Sequence, residues 1–207
     1  MKPHIQFLTS AADEQQFPAL GAPEIALLGR SNVGKSSLLN SLAGSRIAKV
    51  SSTPGRTRTI NFFTARWNAN SAAPDLLLVD LPGYGYARVS RELSASWANF
   101  VDPYLEKRRT LALCVVLLDA NVPPQASDRQ LVEFLRTLNR KFVAVATKAD
   151  KLSGSRLRHV LQKLAEAHAL DEVIAYSAKS GLGRTELWHS IQRVLEVAAQ
   201  SPLQAER

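Results

Sequence analysis

One cysteine in 207 residues excludes an internal disulfide. Cys114 sits in Leu113-Cys114-Val115-Val116, where a buried small apolar residue is a simpler reading than a reactive thiol. No apolar run approaches the length of a membrane span; the longest, Leu111 to Leu118, suits a buried strand. The first residues, Met1 to Leu8, contain no signal-peptide core, and Asp13, Glu14, Gln15 and Gln16 soon follow. Zinc-finger spacing, RNP-type aromatic motifs and internal repeats are all missing. These absences point away from a secreted, disulfide-stapled or membrane-spanning chain, and the expectation is a soluble cytoplasmic protein.

Acidic residues are also in deficit. Lysine and arginine number 26 against 18 aspartates and glutamates, a net charge of +8 with a pI of about 9.9. Such a surface attracts polyanions, RNA foremost, although charge alone fits a merely soluble basic surface equally well. Apolar residues make up 45% of the chain, enough for one domain with a substantial core.

What is present begins with a loop. The apolar run Ile25-Ala26-Leu27-Leu28 leads into Gly29-Arg30-Ser31-Asn32-Val33-Gly34-Lys35-Ser36, and Ser37-Leu38-Leu39-Asn40 leaves it with a helical pattern. Strand, glycine loop and helix together give G-x-x-x-x-G-K-[ST] its mechanism. Gly29 and Gly34 let successive N–H groups turn inward toward phosphate oxygens. The helix N-terminus adds partial positive charge. Lys35 is placed to reach the outer phosphates, and the Ser36 hydroxyl to ligate magnesium.

The second loop, residues 45–59, contains Ser52-Thr53-Pro54-Gly55-Arg56-Thr57-Arg58-Thr59. A loop of this length beside a phosphate site is the place for a second magnesium ligand and a γ-phosphate sensor. Thr57 is the preferred ligand and Thr59 the alternative. Farther on, Pro74-Asp75-Leu76-Leu77-Leu78-Val79-Asp80 reads as a buried strand ending in a carboxylate, followed by Leu81-Pro82-Gly83-Tyr84. Ligands of open α/β sheets sit at the carboxyl ends of strands, so Asp80 falls on the edge that carries the phosphate loop. It can hold magnesium through water, and Gly83 can bring a backbone N–H against a γ-phosphate.

The base is named by Thr147-Lys148-Ala149-Asp150, at the end of the buried strand 141–146. A carboxylate at Asp150 accepts two hydrogen bonds from the guanine N1–H and exocyclic amino group. Adenine offers no such pair, and sites built for a specific donor reject analogues lacking it by roughly 10⁴. Lys148 lays its aliphatic stem along the base. Ser177-Ala178-Lys179 follows the last strand-like run, 171–176, and is suited to give a backbone N–H to the guanine carbonyl.

The remaining segments fill in the architecture. Residues 60–67 alternate as a strand and pair with 75–80 as a hairpin. Helical patterns cover 35–43, ending at Gly44, then 90–109 with a break at Pro103, 128–138, 155–168 and 183–198. Lys107-Arg108-Arg109 complements a helix C-terminus, with an RNA contact as the alternative. Arg156, Arg158, His159 and Lys163 form a polar face, either solvated or on RNA. Strands alternating with helices predict a three-layer α/β/α domain over residues 23–198. Its six-stranded sheet is mostly parallel, with one antiparallel edge strand. Residues 1–22 are expected as a surface extension, because Pro3, Pro18, Gly21 and Pro23 interrupt them, and 199–207 as a fraying tail.

Phosphate loop, threonine loop, D-x-x-G, T-K-x-D and S-A-K stand in the order of the GTPase motifs. Ser52-Thr53-Pro54-Gly55-Arg56-Thr57, Asn61-Phe62-Phe63 and Asp80-Leu81-Pro82-Gly83-Tyr84-Gly85-Tyr86-Ala87 make the closer likeness: the chain resembles the bacterial EngB (YihA/YsxC) GTPases from about Pro23 to Ala198. That resemblance implies a Ras-like P-loop fold that binds GTP or GDP with magnesium. It places Gly29 to Ser37 on the phosphates and Ser36 and Thr57 on the metal, with Gly55 to Thr59 as effector loop. Asp80 to Gly83 are placed beside the γ-phosphate. Thr147 to Asp150 and Tyr176, Ser177 and Ala178 are placed on the guanine, with Lys35, Thr57 and Gly83 as the catalytic set. It also implies a part in assembly of the large (50S) ribosomal subunit, with rRNA as partner, and in cell division and septation. A monomer is the default, and neither membrane nor DNA is expected as a partner.

Two residues bear on rate. Tyr84 stands where many GTPases carry a glutamine that orients the attacking water. Slow intrinsic hydrolysis is therefore expected, with help from a partner or a cation. Asn32 resembles the phosphate-loop asparagine of potassium-activated GTPases. It either marks a monovalent-cation site or bonds only within its own loop. The functional alternatives are a slow hydrolase timing ribosome assembly and a GTP-sensing module in division whose hydrolysis is incidental.

Overall fold

The structure is a computed structural model, and residues 2–48, 59–84 and 101–200 are described, the side chains of 198–200 aside. Seven strands form one sheet: β1 (His4–Ala11), β2 (Glu24–Gly29), β3 (Ile60–Arg66), β4 (Leu76–Asp80), β5 (Leu111–Asp119), β6 (Phe142–Thr147) and β7 (Val173–Ala175). Their spatial order is β1-β3-β4-β2-β5-β6-β7. Helices α1 (Lys35–Ala43), α2 (Asp102–Lys107), α3 (Ala126–Thr137), α4 (Gly154–His168) and α5 (Arg184–Gln200) connect or follow them.

Period-two alternation sorts the central strands onto two buried faces. Every residue of β2 is buried. Its Ile25 and Leu27 join Val115 and Leu117 under Leu38, Leu39 and Leu42 of α1 and Leu187 and Ile191 of α5. Ala26 and Leu28 join Val116 and Leu118 under α2, α3 and α4, which contribute Tyr104, Leu131, Leu135 and Leu164. The result is the expected three layers. Cys114 lies inside the second cluster, and burial pushes its thiol up to about 12, so it is a core residue and not a nucleophile at neutral pH.

The expected six strands are seven. Residues 4–11, expected as a surface extension, are β1, paired antiparallel with β3. The antiparallel strand of the sheet is β3, as the hairpin with β4 requires, but β1 covers it and takes the edge. The register slips between Phe7 and Thr9, leaving Leu8 as an extra residue. That bulge breaks the alternation of His4-Ile5-Gln6-Phe7-Leu8-Thr9-Ser10-Ala11, so the run does not read as a strand. The other boundaries shift little. Helix α3 starts at Ala126 and not at 128, β7 is shorter than 171–176, and α5 continues to Gln200. Of the helix expected over 90–109, the described part is α2, with Pro103 in its first turn, where a missing N–H costs nothing. Residues 201–207, the rest of the expected tail, lie outside the described residues.

Arg108 does not complement the C-terminus of α2, as the basic cluster suggested. Its Nε and Nη2 donate to Glu24 Oε1 at 2.8 and 2.6 Å, and Nη2 also to the Pro18 carbonyl at 2.8 Å. Glu24 is fully buried, and the hydroxyls of Tyr104 and Thr110 donate to it as well, each at 2.7 Å. The segment leading into β2 is thus tied to α2 and to the start of β5 at the end of the sheet where β2 begins.

Candidate nucleotide site

The parallel strands β2, β4, β5 and β6 end at Gly29, Asp80, Asp119 and Thr147, so these residues share one edge of the sheet. Backbone geometry decides who can occupy it. A Cβ on Gly29 would stand 2.7 Å from Val33 Cγ1 and 3.0 Å from the Leu117 carbonyl oxygen. Gly34 precedes α1 at φ +115, and Asn32 is left-handed at φ +64. Alternating handedness of this kind turns main-chain N–H groups to one side, the condition for an anion cradle. Lys35 opens α1 and is folded back over the loop, its Nζ donating to the carbonyls of Gly29 at 3.0 Å and Arg30 at 3.4 Å.

Asp80 ends β4 beside this lysine and is buried. Burial pushes its carboxyl up to about 6, opposed by the charge of Lys35. Burial likewise lowers the Lys35 ammonium, opposed by Asp80. Asp80 Oδ1 has no hydrogen-bond partner among the described residues. Leu81 donates its N–H to Leu27, and Gly83 reaches the phosphate loop, where a Cβ would stand 2.8 Å from Ser31 N. Ser36 and Ser37 follow Lys35 in the first turn of α1.

The base-side motif is fastened to the same loop. Thr147 Oγ1 lies 2.6 Å from the Val33 carbonyl oxygen and 3.0 Å from that of Leu118. Lys148 is left-handed at φ 59, and its Nζ donates to Asn32 O at 2.9 Å and Asp119 Oδ2 at 2.6 Å. Asp119 Oδ1 also accepts from the Asn121 N–H, and the Asn121 side chain donates to the Lys148 carbonyl at 3.1 Å. Ala149 donates to the Tyr176 carbonyl, bringing residues 176–178 alongside 147–150. The Ser177 hydroxyl donates to Asp150 Oδ1 at 2.7 Å and, with charge from Lys179 and Lys151, holds this exposed carboxyl below the usual range. Asp150 is therefore an ionised acceptor aligned by a neighbouring strand end. Ala178, next to Ser177, is exposed, and the Tyr176 hydroxyl reaches Ser41 of α1.

Of the residues read from sequence, Gly29 to Ser37, Asp80 to Gly83, Thr147 to Asp150 and Tyr176 to Ala178 lie on this one edge. Gly55, Arg56, Thr57 and Arg58 lie outside the described residues. Thr59 is described at the entry to β3, and its hydroxyl donates to Asn61 at 3.3 Å. Asp119 and Asn121, which clamp Lys148 from both its side chain and its carbonyl, were missed. The one signal in the sequence is a carboxylate at the end of a buried strand, the feature that singled out Asp80.

Comparison with known proteins agrees with the site. A family model described as a 50S ribosome-binding GTPase matches residues 24–148. The probable GTP-binding protein EngB of Koribacter versatilis is 58% identical over 186 residues, spanning 90% of this chain and 91% of the relative. That of Acidobacterium capsulatum is 51% identical over 207 residues, spanning 100% and 98%. The crystal structure of a probable GTP-binding protein EngB shares the fold at a TM-score of 0.66 and 23% identity, covering 84% of this chain and 98% of the other. With more than half the residues shared along nearly the whole length, the kinship extends beyond the fold, and this chain belongs to the EngB family of P-loop GTP-binding proteins.

Proposed function

We propose that the protein is a slow GTPase of the cytoplasm whose GTP-bound form acts as a switch in assembly of the large (50S) ribosomal subunit. The observation that carries this reading is the joint between the two halves of the site. Thr147 and Lys148 bond Val33 and Asn32, so the loop suited to recognise guanine is fastened directly to the loop suited to cradle phosphate. Asp150 accepts from the guanine edge, with Tyr176, Ser177 and Ala178 beside it. The N–H groups of Gly29 to Ser37 and the Lys35 ammonium take the phosphates. Gly83 faces the outermost phosphate, with Leu81 and Pro82 setting its place and Gly55 to Thr59 forming the effector loop.

Magnesium fits the oxygens present. The ion keeps several waters and takes phosphate oxygens, so it needs one or two protein donors. Ser36 and Thr57 would hold it, with the orphaned Asp80 Oδ1 reaching it through water. Bound there, it would neutralise charge developing on the phosphates, and its charge would favour the ionised form of Asp80. Hydrolysis is slow in this reading because Tyr84 replaces the water-orienting glutamine. Potassium beside Asn32 would take the part of an arginine finger. Turnover measured in potassium and in sodium buffer tests the cation, and equal rates remove it.

The net charge of +8 and the family model described by ribosome binding both favour a ribosomal partner over DNA or membrane. No helix among the described residues is long and apolar enough to cross a membrane. In this reading the surface offered to rRNA depends on which nucleotide is bound. A role in normal cell division and septation belongs to the same reading. The second reading, a GTP-sensing module in division, is separated by cosedimentation with large subunits or their precursors in GTP and in GDP. Binding that is the same in both nucleotides, or absent in both, would reject the switch. Loss in high salt alone would not separate the readings, since any basic protein loses rRNA that way.

A further inference from the structure

Tyr84, the residue after the D-x-x-G glycine, sits where three elements meet. Its hydroxyl donates to Asp128 Oδ1 at 2.9 Å. Asp128 lies in the first turn of α3 and is only 4% exposed. The main chain of Tyr84 forms an isolated parallel bridge with Arg30, and its carbonyl accepts from the Ser31 N–H at 3.1 Å. Gly83 is pressed so closely on the same loop that no side chain fits there. The side chain of Tyr84 is thus anchored on α3 and its main chain on the phosphate loop.

Arg30 completes the group. Burial raises both Asp128 and Tyr84, and the Arg30 guanidinium pulls against it in each. A carboxylate in a first helical turn also complements the helix dipole. That role needs the charge, whereas holding a phenol needs only an acceptor oxygen, so the two can be told apart.

We propose that Asp128 is a positioning residue for the triphosphate: by holding Tyr84 it sets Gly83 against the phosphate loop, where the outermost phosphate is sensed. The proposal rests on the reading of Gly83 given above. A diphosphate has no group at that place, so the bond selects between the two nucleotides. By linkage, triphosphate binding strengthens the Tyr84–Asp128 bond by the same factor, and the start of α3 becomes a surface that reports nucleotide state.

The test uses the full chain with Tyr84→Phe, Asp128→Ala, Asp128→Asn and the Tyr84→Phe/Asp128→Ala double variant. Each is titrated with fluorescent GDP and with a fluorescent non-hydrolysable GTP analogue, and its fold is checked by thermal melting. Tyr84→Phe and Asp128→Ala each weaken the GTP analogue by about 5- to 20-fold, the usual span of such couplings, and leave GDP within about twofold. The double variant is no weaker than the stronger single, because both remove one bond. Asp128→Asn keeps an acceptor and stays within about threefold of wild type, whereas a helix-dipole role, which needs the charge, would leave it no better than Asp128→Ala. Equal losses for both nucleotides, no loss for either, or losses that multiply in the double variant overturn the proposal. Should Asp128→Ala not fold, Tyr84→Phe against Asp128→Asn decides by the same ratio. Wild-type protein that binds both nucleotides without preference for a γ-phosphate would overturn the reading of Gly83 itself.

Discussion

Thr147 Oγ1 lies 2.6 Å from the carbonyl oxygen of Val33, across 114 positions of sequence. One hydroxyl at the end of β6 thereby serves two buried carbonyls, the other being that of Leu118. Thr147→Val keeps the shape and removes the proton. The single proton shared between the two carbonyls is lost in a site with little access to water, which costs about 1–3 kcal/mol of unfolding free energy. Urea denaturation measures that loss. Nucleotide affinity falls for GDP and GTP together, since the bond aligns the whole phosphate loop. A loss confined to one nucleotide would contradict the joint described here.

Asp150 is held ionised by the Ser177 hydroxyl and turned toward solvent. Asp150→Asn replaces one acceptor oxygen by a donor, which then faces another donor on guanine. Two charge-assisted hydrogen bonds of about 1.5–3 kcal/mol each are lost or reversed, so GTP affinity falls by about 10²- to 10⁴-fold. Competition with xanthosine triphosphate, whose exocyclic group is a carbonyl, checks the cause. The variant should prefer it to GTP, and an unchanged rank order would place the base elsewhere.

Glu24 accepts four hydrogen-bond contacts and has no exposure. Glu24→Ala leaves the Arg108 guanidinium, itself mostly buried, without its counter-charge. Breaking a buried pair on one side costs about 3–5 kcal/mol. Denaturant melts should show that loss with nucleotide affinity unchanged in the folded fraction, because the cluster lies at the start of β2 and the site at its end. The double variant Glu24→Leu/Arg108→Met should recover much of the stability, since an apolar pair of similar size needs no charge compensation.

The contrast between Asp150 and Glu24 shows what a sequence discloses. Asp150 is legible because its spacing from Thr147 and Lys148 at a strand end is the one that recognition of guanine would require. Gly29, Gly34 and Gly83 are legible for a related reason: loop closure leaves no room for a Cβ at Gly29 and Gly83, and Gly34 takes a positive φ of +115 that other residues rarely adopt. Glu24 is illegible because its four donor contacts come from Tyr104, Arg108 and Thr110, more than seventy positions away. Tyr84 is half-legible: the missing glutamine is plain, but its bond to Asp128 depends on how α3 packs. The strand β1 was hidden by one inserted residue, Leu8, which reverses the alternation on which strand reading depends. Local geometry and ligand chemistry leave marks in neighbouring residues, whereas packing partners do not.

His168, the last residue of α4, supplies a pH test of stability. It is 2% exposed, and neither ring nitrogen has a hydrogen-bond partner among the described residues. Burial, with a smaller contribution from the Arg129 charge, holds its pKa below the ordinary imidazole value. The folded protein therefore binds a proton at His168 less readily than the unfolded chain does. His168 stabilisation is complete above the unfolded value of about 6.5 and is lost as pH falls from there toward the folded value. The slope in that window is at most about 1.4 kcal/mol per pH unit. His168→Leu removes the titration while keeping an apolar side chain of similar size. Its stability relative to wild type should improve between pH 7 and pH 5, read from urea denaturation at matched ionic strength. A difference that stays constant over that range would mean His168 keeps the same protonation in both states, and the burial argument for it would fall.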